Sequence, residues 1–488
     1  MKVAFIQTNP ECSLGSMYIA SALKEEAECR VFIKAYEDDF YTSVADYKPD
    51  VLAFSAFTGE WQELLAISRE IKERVSTFSV FGGPHPTYNP DIIYEEGIDV
   101  ICRGEGEVAM LELVKSLKRE DINYKIQNLS FKTESGECIK NVVRNVNKEI
   151  DEIVFPDRDI YSYYFHIPDF KNNICKRVIT GRGCPFNCTY CFNHALKEIY
   201  SGKGTYLRVR SVQNVISELK FLKEEYGISD CDFVDDIFGM NPNWLEEFSI
   251  SSNKLGLPFS CLSHVEYINE KYTQNIKKAG CKVISLGIET GDETFRRKVL
   301  NRSYKNTSLY KTADMLRKYN IPFCTFNMLL LPGEDIKMAT KTLCVNLRIK
   351  PLDTYVTIYQ PFLGTDLAAY SVGNHFLDEG PVSTPRDIYT DSVLENPQKR
   401  KMMRLFYLFS AVVKFRFPYF ITTKLLIYLP LDGLYKKLFK LYKSESRKRY
   451  LYGLQGLNEK ISLMSFVYKL FCHKEPKDPF SKSTVSRN

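Results

Sequence analysis

The sequence lacks the features that mark membrane-spanning and secreted proteins. Its 488 residues contain no run of about 18 uncharged apolar residues, which argues against a transmembrane helix. The N-terminal segment, MKVAFIQTNP, becomes polar too early to provide the apolar core of a signal peptide. No internal repeat is evident. We therefore expect a cytoplasmic protein of two or three domains.

Closely spaced cysteines are scarce, although the chain has 14 cysteines in all. Most of them lie singly inside apolar, strand-like runs, as expected of small buried hydrophobic residues in a reducing compartment. The tightly spaced group is Cys184, Cys188 and Cys191, within GRGCPFNCTYCFNH. The glycines and the proline of this segment predict a loop that can wrap around a compact object.

Positive charge is concentrated at one end of the chain. Residues 386–488 carry 21 Lys or Arg and 8 Asp or Glu, whereas residues 1–385 carry 45 and 52. Hydrophobic residues make up 44% and charged residues 26% of the chain, which excludes wholesale disorder. The basic C-terminal region also interleaves aromatic residues with lysines and arginines. We expect this region to meet an anionic surface or to pack on the rest of the protein.

The first part of the chain alternates short apolar strands with helical patterns. Strands are predicted at residues 3–7, 51–55, 78–83 and 99–102, and helices at residues 15–27, 61–74 and 107–118. Such alternation predicts parallel strands with right-handed crossovers, and a ligand crevice beyond their carboxyl ends. These ends are small, polar or glycine-rich, so the sequence predicts a Rossmann-like ligand-binding domain.

A second alternating series predicts a partial (β/α)6 barrel, whose chemistry would lie at the carboxyl ends of its strands. Its strands are predicted at residues 176–180, 231–235, 259–263, 282–288, 323–330 and 354–360. Helices are predicted near residues 212–226, 242–254, 269–279, 306–319 and 335–349. The fold class is therefore α/β. We assign residues 1–140 to the first domain, 141–170 to a connector, 171–375 to the barrel and 376–488 to a helical C-terminal region.

The three clustered cysteines form a C-x3-C-x2-C array that can hold a metal or an iron–sulfur cluster. A cubane cluster has four irons, so three cysteines leave one iron open to a substrate. A structural zinc site with His194 as its fourth ligand is the alternative.

This array, with Tyr190 before the last cysteine, resembles the radical S-adenosylmethionine (radical SAM) superfamily. The resemblance implies that Cys184, Cys188 and Cys191 bind a 4Fe–4S cluster, whose open iron chelates S-adenosylmethionine. Reduction of the cluster then yields a 5′-deoxyadenosyl radical. The segments FVDDIFGMN, LGIETGDETFRRKVLNR, MLLLPGED and QPFLGTDL match the family at later strand ends. The S-adenosylmethionine site that the resemblance implies comprises Tyr190, Phe192, Asp235, Asp236, Glu289 and Arg302, with Glu289 on the ribose and Arg302 on the carboxylate.

The first domain resembles the cobalamin-binding domain that precedes many radical SAM barrels. The segments that carry the resemblance are NPECSLGSMYIASALKE, FGGPHPTYNP and VICRGEGE. The implied cobalamin site comprises Thr8, Leu14, Gly15, Ser55, Thr58, Gly82, Gly83, Gly104, Glu105 and Gly106. The D-x-H-x-x-G signature that supplies a histidine to cobalt elsewhere is absent, so His85 is not expected to bind cobalt. Trp61 is a core residue or packs under the corrin.

The combined resemblance implies a cobalamin-dependent radical SAM methyltransferase that acts on an unactivated carbon or on phosphorus. Radical cyclisation, ring rearrangement or oxidation without methyl transfer is the alternative within the same architecture. A zinc-stabilised binding module is a remote alternative from another class. The expected partners are a small-molecule or lipid-like substrate, an electron donor such as flavodoxin or ferredoxin, and the inner face of an anionic membrane. No nucleic acid partner is expected, because the C-terminal region contains no recognised binding module.

Overall fold

The computed structural model describes residues 1–133, 135–377 and 391–451, and their side chains up to residue 443. Two sheets of mainly parallel strands, each with connecting helices, organise most of these residues. Helices after residue 398 pack on the second sheet. This architecture confirms the predicted fold class, a Rossmann-like domain followed by a partial barrel and a helical region.

The first sheet has seven strands. They are β1 (Lys2–Gln7), β2 (Glu28–Ile33), β3 (Val51–Ser55), β4 (Phe78–Gly82), β5 (Val100–Cys102), β6 (Leu129–Lys132) and β7 (Cys138–Lys140). The helices between them are α1 (Leu14–Leu23), α2 (Phe40–Tyr47), α3 (Trp61–Arg74), α4 (Pro84–Tyr88) and α5 (Glu107–Lys118). The strand order is β2-β1-β3-β4-β5-β6-β7, and β1 to β5 run parallel. The edge strand β2 escaped prediction because its first half is polar and partly exposed.

The predicted connector, residues 141–170, packs on the core of the first sheet. The hairpin of β6 and β7 extends that sheet in antiparallel fashion from β5. A 3-10 helix at Arg158–Tyr164 and α6 (Pro168–Cys175) follow the hairpin. Tyr161, Tyr164 and Phe170 from these helices are buried in the same hydrophobic core as β1 and α5. Aromatic side chains therefore fasten the connector to the first domain.

The second sheet has six strands, which pair successively and in parallel. They are β8 (Arg177–Val178), β11 (Cys231–Phe233), β12 (Phe259–Ser263), β13 (Cys281–Glu289), β14 (Phe323–Leu329) and β15 (Asp353–Ile358). A small antiparallel pair, β9 (Gly181–Arg182) and β10 (Arg208–Val209), lies after β8 and flanks α7 (Phe192–Ile199). The remaining helices are α8 (Val212–Glu225), α9 (Pro242–Leu255), α10 (Glu270–Lys278), α11 (Glu293–Lys298), α12 (Asn306–Lys318), α13 (Ile336–Ile349) and α14 (Asp366–Gly373). Each end strand has one neighbour in this sheet, as expected of a partial barrel.

The C-terminal helices are α15 (Lys399–Phe415), α16 (Tyr419–Lys424) and α17 (Asp432–Leu451). Leu405, Phe406 and Phe409 of α15 are buried in one cluster with Val356 and Ile358 of β15. Within the described part of the chain, no helix combines the length and the apolarity needed to cross a membrane. The predicted basic region continues through residues 452–488, which lie outside the described residues.

Candidate functional site

The cysteine loop lies between β9 and α7 and is tied to the segment after α11. The Thr189 hydroxyl donates to the Val299 carbonyl at 2.6 Å, and the Asn301 amide donates to the Asn187 carbonyl at 2.8 Å. The predicted first barrel strand is shorter than expected, because β8 ends at Val178 and β9 precedes the loop. Hydrogen bonds to the segment after α11 therefore hold the cysteine loop in place.

The three cysteines of this loop are free thiols with raised pKa values. Burial raises the pKa of Cys184 to about 12 and that of Cys191 to about 11, and it also raises the pKa of Cys188. A metal or cluster binds the thiolate, so binding at this loop must release protons. His194, the fourth ligand of the alternative zinc site, has its Nε2 3.1 Å from Asp366 Oδ2, so a carboxylate already engages one of its two ring nitrogens.

Three of the residues predicted to bind S-adenosylmethionine meet beside Cys188. Arg302 Nη1 donates to the Tyr190 hydroxyl at 2.8 Å, lies 3.8 Å from Glu289 Oε1 and lies 3.9 Å from the Cys188 sulfur. Arg302 Nη2 donates to the Gly287 carbonyl at 2.8 Å. Arg302 and Glu289 are both buried, so their charges act in a region of low dielectric.

Glu289 is held in a strained backbone conformation at the carboxyl end of β13. Its φ is 65°, and the register between β13 and β14 shifts between Gly287 and Glu289. A Cβ on Gly287 would lie 2.5 Å from Glu289 Oε1, so only glycine leaves room for this carboxylate. Burial raises the pKa of Glu289, while Arg302 opposes that shift. Strain of this kind persists where the surrounding structure imposes it, and it is concentrated at functional sites.

The two neighbouring aspartates have different environments. Asp235 accepts hydrogen bonds from the Thr180 backbone N–H at 2.9 Å and from its hydroxyl at 2.7 Å, which links β11 to β8. Burial raises the pKa of Asp235 to about 7 in spite of these bonds. Asp236 lines the large cavity described below and accepts a hydrogen bond from Asn193 at 2.7 Å. The structure thus engages Asp235 with the protein and turns Asp236 toward open space.

A cavity of about 450 Å³ lies between the carboxyl edge of the first sheet and the barrel. Eight of the ten residues predicted to bind cobalamin line it: Leu14, Gly15, Ser55, Gly82, Gly83, Gly104, Glu105 and Gly106. The barrel contributes Arg182, Phe192, Tyr200, Tyr206, Arg208 and Asp236. Phe192 stacks on Tyr88 of α4 with ring centroids 4.7 Å apart. The cavity is therefore shared by the two halves of the protein and reaches the residue directly after Cys191.

The other two predicted cobalamin residues, Thr8 and Thr58, are not among those lining this cavity. The Thr8 hydroxyl donates to Glu60 Oε2 at 3.3 Å, and the Thr58 hydroxyl lies 3.3 Å from His85 Nδ1. His85 stacks on Trp61 with ring centroids 4.8 Å apart, and burial lowers its pKa to about 4. His85 is thus a neutral side chain that contacts Thr58 and Trp61 and is not among the residues lining the cavity. That it does not bind cobalt stays a prediction, because a neutral imidazole is the form that binds metals.

At two strand ends, glycine is required because other atoms of the protein pack closely against it. Gly83 has a φ of 92°, and a Cβ there would lie 2.9 Å from the Ala56 nitrogen. Gly104 has a φ of 77°, and its Cβ would lie 2.2 Å from the Tyr200 hydroxyl. Both positions therefore require glycine for the fold itself, whether or not a ligand approaches them.

The sequence reasoning missed the barrel side of the cavity. Tyr200 directly follows α7, Tyr206 lies in the loop before β10, and Arg208 lies on the two-residue strand β10, so no periodic pattern predicted them. Arg182 could have been predicted as a site residue, because it stands two residues before Cys184. His264, which directly follows β12, was not predicted either, although its ring centroid lies 4.0 Å from that of Phe186 in the cysteine loop.

The residues present fit the cofactors that the resemblance implies. Three loop thiols leave one iron of a cubane without a cysteine ligand. In the described ranges no three His, Cys, Asp or Glu side chains converge on a single metal ion, but each cysteine of a cubane binds a different iron. Arg302 Nε is buried and has no hydrogen-bond partner among the residues that the structure describes, which suits an incoming carboxylate. The glycine-rich, aromatic-lined cavity at the sheet edge suits a large ring system.

Comparison with known proteins identifies both halves of the chain. A family model for the Radical SAM superfamily matches residues 178–343, and one for the B12 binding domain matches residues 9–114. An uncharacterised methyltransferase of Pyrococcus horikoshii is 29% identical over 378 residues, which cover 75% of this chain and 79% of that protein. An anaerobic magnesium-protoporphyrin IX monomethyl ester cyclase of Rubrivivax gelatinosus is 27% identical over 268 residues, which cover 52% of this chain and 46% of that protein.

The fold has a counterpart among solved structures. The radical S-adenosylmethionine methyltransferase TsrM from Kitasatospora setae, solved with cobalamin and a 4Fe–4S cluster, superposes with a TM-score of 0.63 and 16% identity. The superposition covers 76% of this chain and 75% of that one. The chain therefore combines a radical SAM domain with a B12-binding domain, and its cofactors are a 4Fe–4S cluster, S-adenosylmethionine and cobalamin.

Proposed function

We propose that the protein is a methyltransferase that acts on an unactivated carbon or phosphorus centre of a small-molecule or lipid-like substrate. The observation that carries the proposal is the shared cavity, which opens the first sheet's carboxyl edge directly onto the cysteine loop. When bound, the cluster with S-adenosylmethionine supplies a hydrogen-abstracting radical, and cobalamin supplies the methyl group. The methyltransferase name of the archaeal relative supports the same assignment.

The chain's own residues would bind and orient these groups. Cys184, Cys188 and Cys191 would hold the cluster, and Arg302 would pair its planar fork with the carboxylate of S-adenosylmethionine. Glu289 would accept hydrogen bonds from the ribose hydroxyls, and its constrained backbone fixes the position of the carboxylate for this role. Tyr190 would keep Arg302 in place through their 2.8 Å hydrogen bond.

The reaction products test the proposal. After anaerobic reconstitution with iron, sulfide and hydroxocobalamin and addition of a chemical reductant, we expect one S-adenosylmethionine to yield 5′-deoxyadenosine. A second S-adenosylmethionine, which methylates cobalamin, should yield S-adenosylhomocysteine. The substrate remains to be found, so candidate substrates are screened for a gain of one methyl group by mass spectrometry. Formation of 5′-deoxyadenosine alone would favour cyclisation, rearrangement or oxidation, as the similarity to the cyclase allows.

Cysteine substitution tests the cluster assignment. We expect Cys188→Ala to lose cluster iron and S-adenosylmethionine cleavage, because the loop then offers two thiolates. Cys281→Ala is the matched control, since Cys281 is buried in the barrel core away from this loop. The control should keep its iron and lose only about 1–3 kcal/mol of stability. Full iron content in Cys188→Ala would refute the assignment.

We also propose that an external redox protein, such as flavodoxin or ferredoxin, reduces the cluster. Cleavage of the sulfonium consumes an electron, so every turnover that cleaves S-adenosylmethionine reductively needs a donor. A flavodoxin with its reductase should support formation of 5′-deoxyadenosine in place of a chemical reductant.

A membrane contact is the remaining part of the proposal, and an exposed apolar surface supports it. We define the C-terminal apolar surface as Tyr419, Phe420, Ile421, Leu425, Tyr428, Leu431 and Leu434. Each of these side chains is exposed, and Phe420 is 70% exposed. They are 7 of the 18 large hydrophobic residues exposed in the described part of the chain, yet they fall within residues 419–434. An apolar cluster of this density marks an interaction surface.

Charge around this surface favours an anionic bilayer as the partner. Arg416, Lys424, Lys436 and Lys437 are exposed beside it. The one acidic residue of segment 414–443 is Asp432, whose carboxylate binds Arg404 at 2.8 Å and Arg400 at 3.3 Å. Each basic residue near an anionic surface contributes roughly 1 kcal/mol, and apolar side chains add to this when they enter the interface.

Point variants of folded protein test the membrane contact. We expect the full chain to co-sediment with vesicles containing phosphatidylserine, and the double variant Phe420→Ser, Leu425→Ser to lose this binding. The matched control is Phe221→Ser, Ile250→Ser, which alters two residues that are 40% and 44% exposed on the barrel helices. High salt should weaken the binding, because screening reduces the attraction of the basic residues. Equal binding by the two double variants would refute the contact.

A further inference from the structure

The loop from Gly104 to Glu107, at the mouth of the cobalamin-binding sheet, is bound by ionic contacts from the barrel. Arg182 Nη1 lies 3.1 Å from Glu105 Oε1, and Arg182 Nη2 lies 2.5 Å from Glu107 Oε1. Arg208 Nη1 donates to Glu105 Oε2 at 3.2 Å, and Arg208 Nη2 donates to the other oxygen of the same carboxylate. Both oxygens of Glu105 are therefore engaged by barrel arginines.

The two arginines face each other across a strand pair, which explains why acidic side chains lie beside them. Arg182 on β9 is the register partner of Arg208 on β10. Like charges directly opposite each other in an antiparallel pair repel, unless opposite charges lie between them. Burial would raise the pKa of Glu105, but Arg208 and Arg182 hold it below its usual value. The loop's carboxylates thus neutralise the strand pair.

Neutral contacts fix the same loop. The Glu105 backbone N–H donates to the Tyr200 hydroxyl at 2.8 Å, and the Asn128 side chain donates to the Glu105 carbonyl at 2.6 Å. Arg208 also donates to the Asn147 carbonyl at 2.7 Å. The loop therefore contacts both the first domain and the barrel, so a shift of either one would move the loop or break its contacts with the other.

The position of Arg182 connects this network to the cluster loop. Only Gly183 separates Arg182 from Cys184. Gly183 lines the shared cavity, together with Arg182, Arg208, Tyr200, Glu105 and Glu107. The same short segment thus begins the cysteine loop and holds the wall of the cobalamin cavity.

We propose that Glu105, Glu107, Arg182, Arg208 and Tyr200 form an interdomain clamp that sets the position of the cobalamin cavity relative to the cluster loop. These are positioning residues, and Glu105 acts through the two arginines instead of through its own contact with cobalamin. The proposal rests on the proposed function in one respect, because it requires cobalamin to occupy the shared cavity.

Charge reversal in the full-length, cluster-reconstituted protein tests the clamp. Hydroxocobalamin affinity is measured by absorbance titration for Glu105→Arg, for Arg208→Glu and for the double variant. Each single reversal should weaken hydroxocobalamin binding about ten-fold or more, because three of the four charged side chains then carry the same sign and repel one another. The double variant keeps two positive and two negative side chains and should regain most of the affinity. Lys118→Glu is the matched control, since Lys118 pairs with Glu26 at 2.7 Å at the other end of α5.

Two results would overturn the proposal. If the double variant binds as weakly as Glu105→Arg, the Glu105 carboxylate contacts cobalamin itself. If Arg208→Glu binds like the wild type, the ionic contacts do not position the cavity. Failure of the wild-type chain to bind any cobalamin would instead refute the proposed function.

Milder variants and a second readout keep the test valid if a reversal fails to fold. Arg208→Gln and Tyr200→Phe each remove polar contacts without introducing an opposite charge, and cluster iron content reports on their folding. In the doubly reduced protein, pulsed EPR measures the distance between cob(II)alamin and the cluster. We expect Arg208→Gln to broaden that distance distribution relative to Lys118→Glu. An unchanged distribution with unchanged affinity would overturn the clamp.

Discussion

At the scale of single residues, the barrel buries several polar atoms that other described residues do not satisfy. Among the described residues, His264 Nε2, Arg302 Nε and Glu334 Oε1 are buried and have no hydrogen-bond partner. Burial lowers the pKa of His264 to about 3, with Arg302 and Arg296 adding to the effect, so its ring is neutral. Unpaired buried groups cost free energy, and a fold retains them where a ligand can satisfy them.

Glu334 leads to a prediction about pH and stability. Burial raises its pKa to about 8 from an ordinary value of 4.5, so the folded protein binds a proton that the unfolded chain releases. Stability should therefore fall as the pH rises from about 4.5 to about 8. In Glu334→Gln this contribution is absent. The melting temperature of the variant should decline less than that of the wild type between pH 6 and pH 8, as measured by differential scanning fluorimetry. Parallel declines would contradict the assignment of this proton.

The same scale shows why some site residues could be predicted and others could not. Cys188, Glu289 and Arg302 stand in contiguous motifs whose order along the chain matches a family, and the structure places the Arg302 guanidinium within 4 Å of both Glu289 and Cys188. Asp235 stands in such a motif too, yet its carboxylate serves Thr180. Sequence order reveals which strand end a residue occupies, but it does not reveal which neighbour will take its hydrogen bonds.

At the scale of elements, regular periodicity made the fold predictable. The predicted strand at residues 259–263 and the predicted helix at residues 61–74 have the observed bounds. By contrast, β9, β10 and α7 are short and lie around the cysteine loop, where tertiary contacts and not local pattern decide the conformation. This part of the barrel also forms the clamp, and no sequence pattern predicted the contributions of Tyr200 and Arg208 to the cavity.

The composition of the C-terminal helices suggested either packing on the protein or contact with an anionic surface, and different helices fit these two roles. Phe406 of α15 is fully buried against β15, whereas Phe420 of α16 is 70% exposed. Phe406→Ala should therefore cost about 3–5 kcal/mol of unfolding free energy, and Phe420→Ala should change it by less than about 0.5 kcal/mol. Chemical denaturation of both variants measures the difference. Equal costs would mean that α16 is packed in solution, and the C-terminal apolar surface would then not be available to a membrane.

At the scale of the whole molecule, neither half of the protein builds the cobalamin cavity alone. The first sheet supplies its glycine-rich edge, and the barrel supplies Phe192, Tyr200, Tyr206 and Arg208. The connector between them packs into the first domain's core instead of spanning open solvent. The family assignment follows from motifs in each half, but the site depends on how the halves meet.

The core of the first domain includes residues beyond its predicted boundary at residue 140. A fragment ending there loses Tyr161, Tyr164 and Phe170, each of which is buried in the core of the first sheet. Fully burying one such side chain contributes roughly 1.5–3 kcal/mol, so fragment 1–140 should be much less stable than fragment 1–176. Thermal unfolding followed by circular dichroism compares the two.

Both fragments lack the barrel side of the cavity and the arginines that hold the Gly104–Glu107 loop. We therefore expect fragment 1–176 to fold and yet to bind hydroxocobalamin at least about ten-fold more weakly than the full chain, because each lost contact group adds to the free-energy difference. Absorbance titration of fragment and full chain measures this. Equal affinity would mean that the first sheet alone recognises cobalamin, and that the barrel wall of the cavity serves the substrate instead.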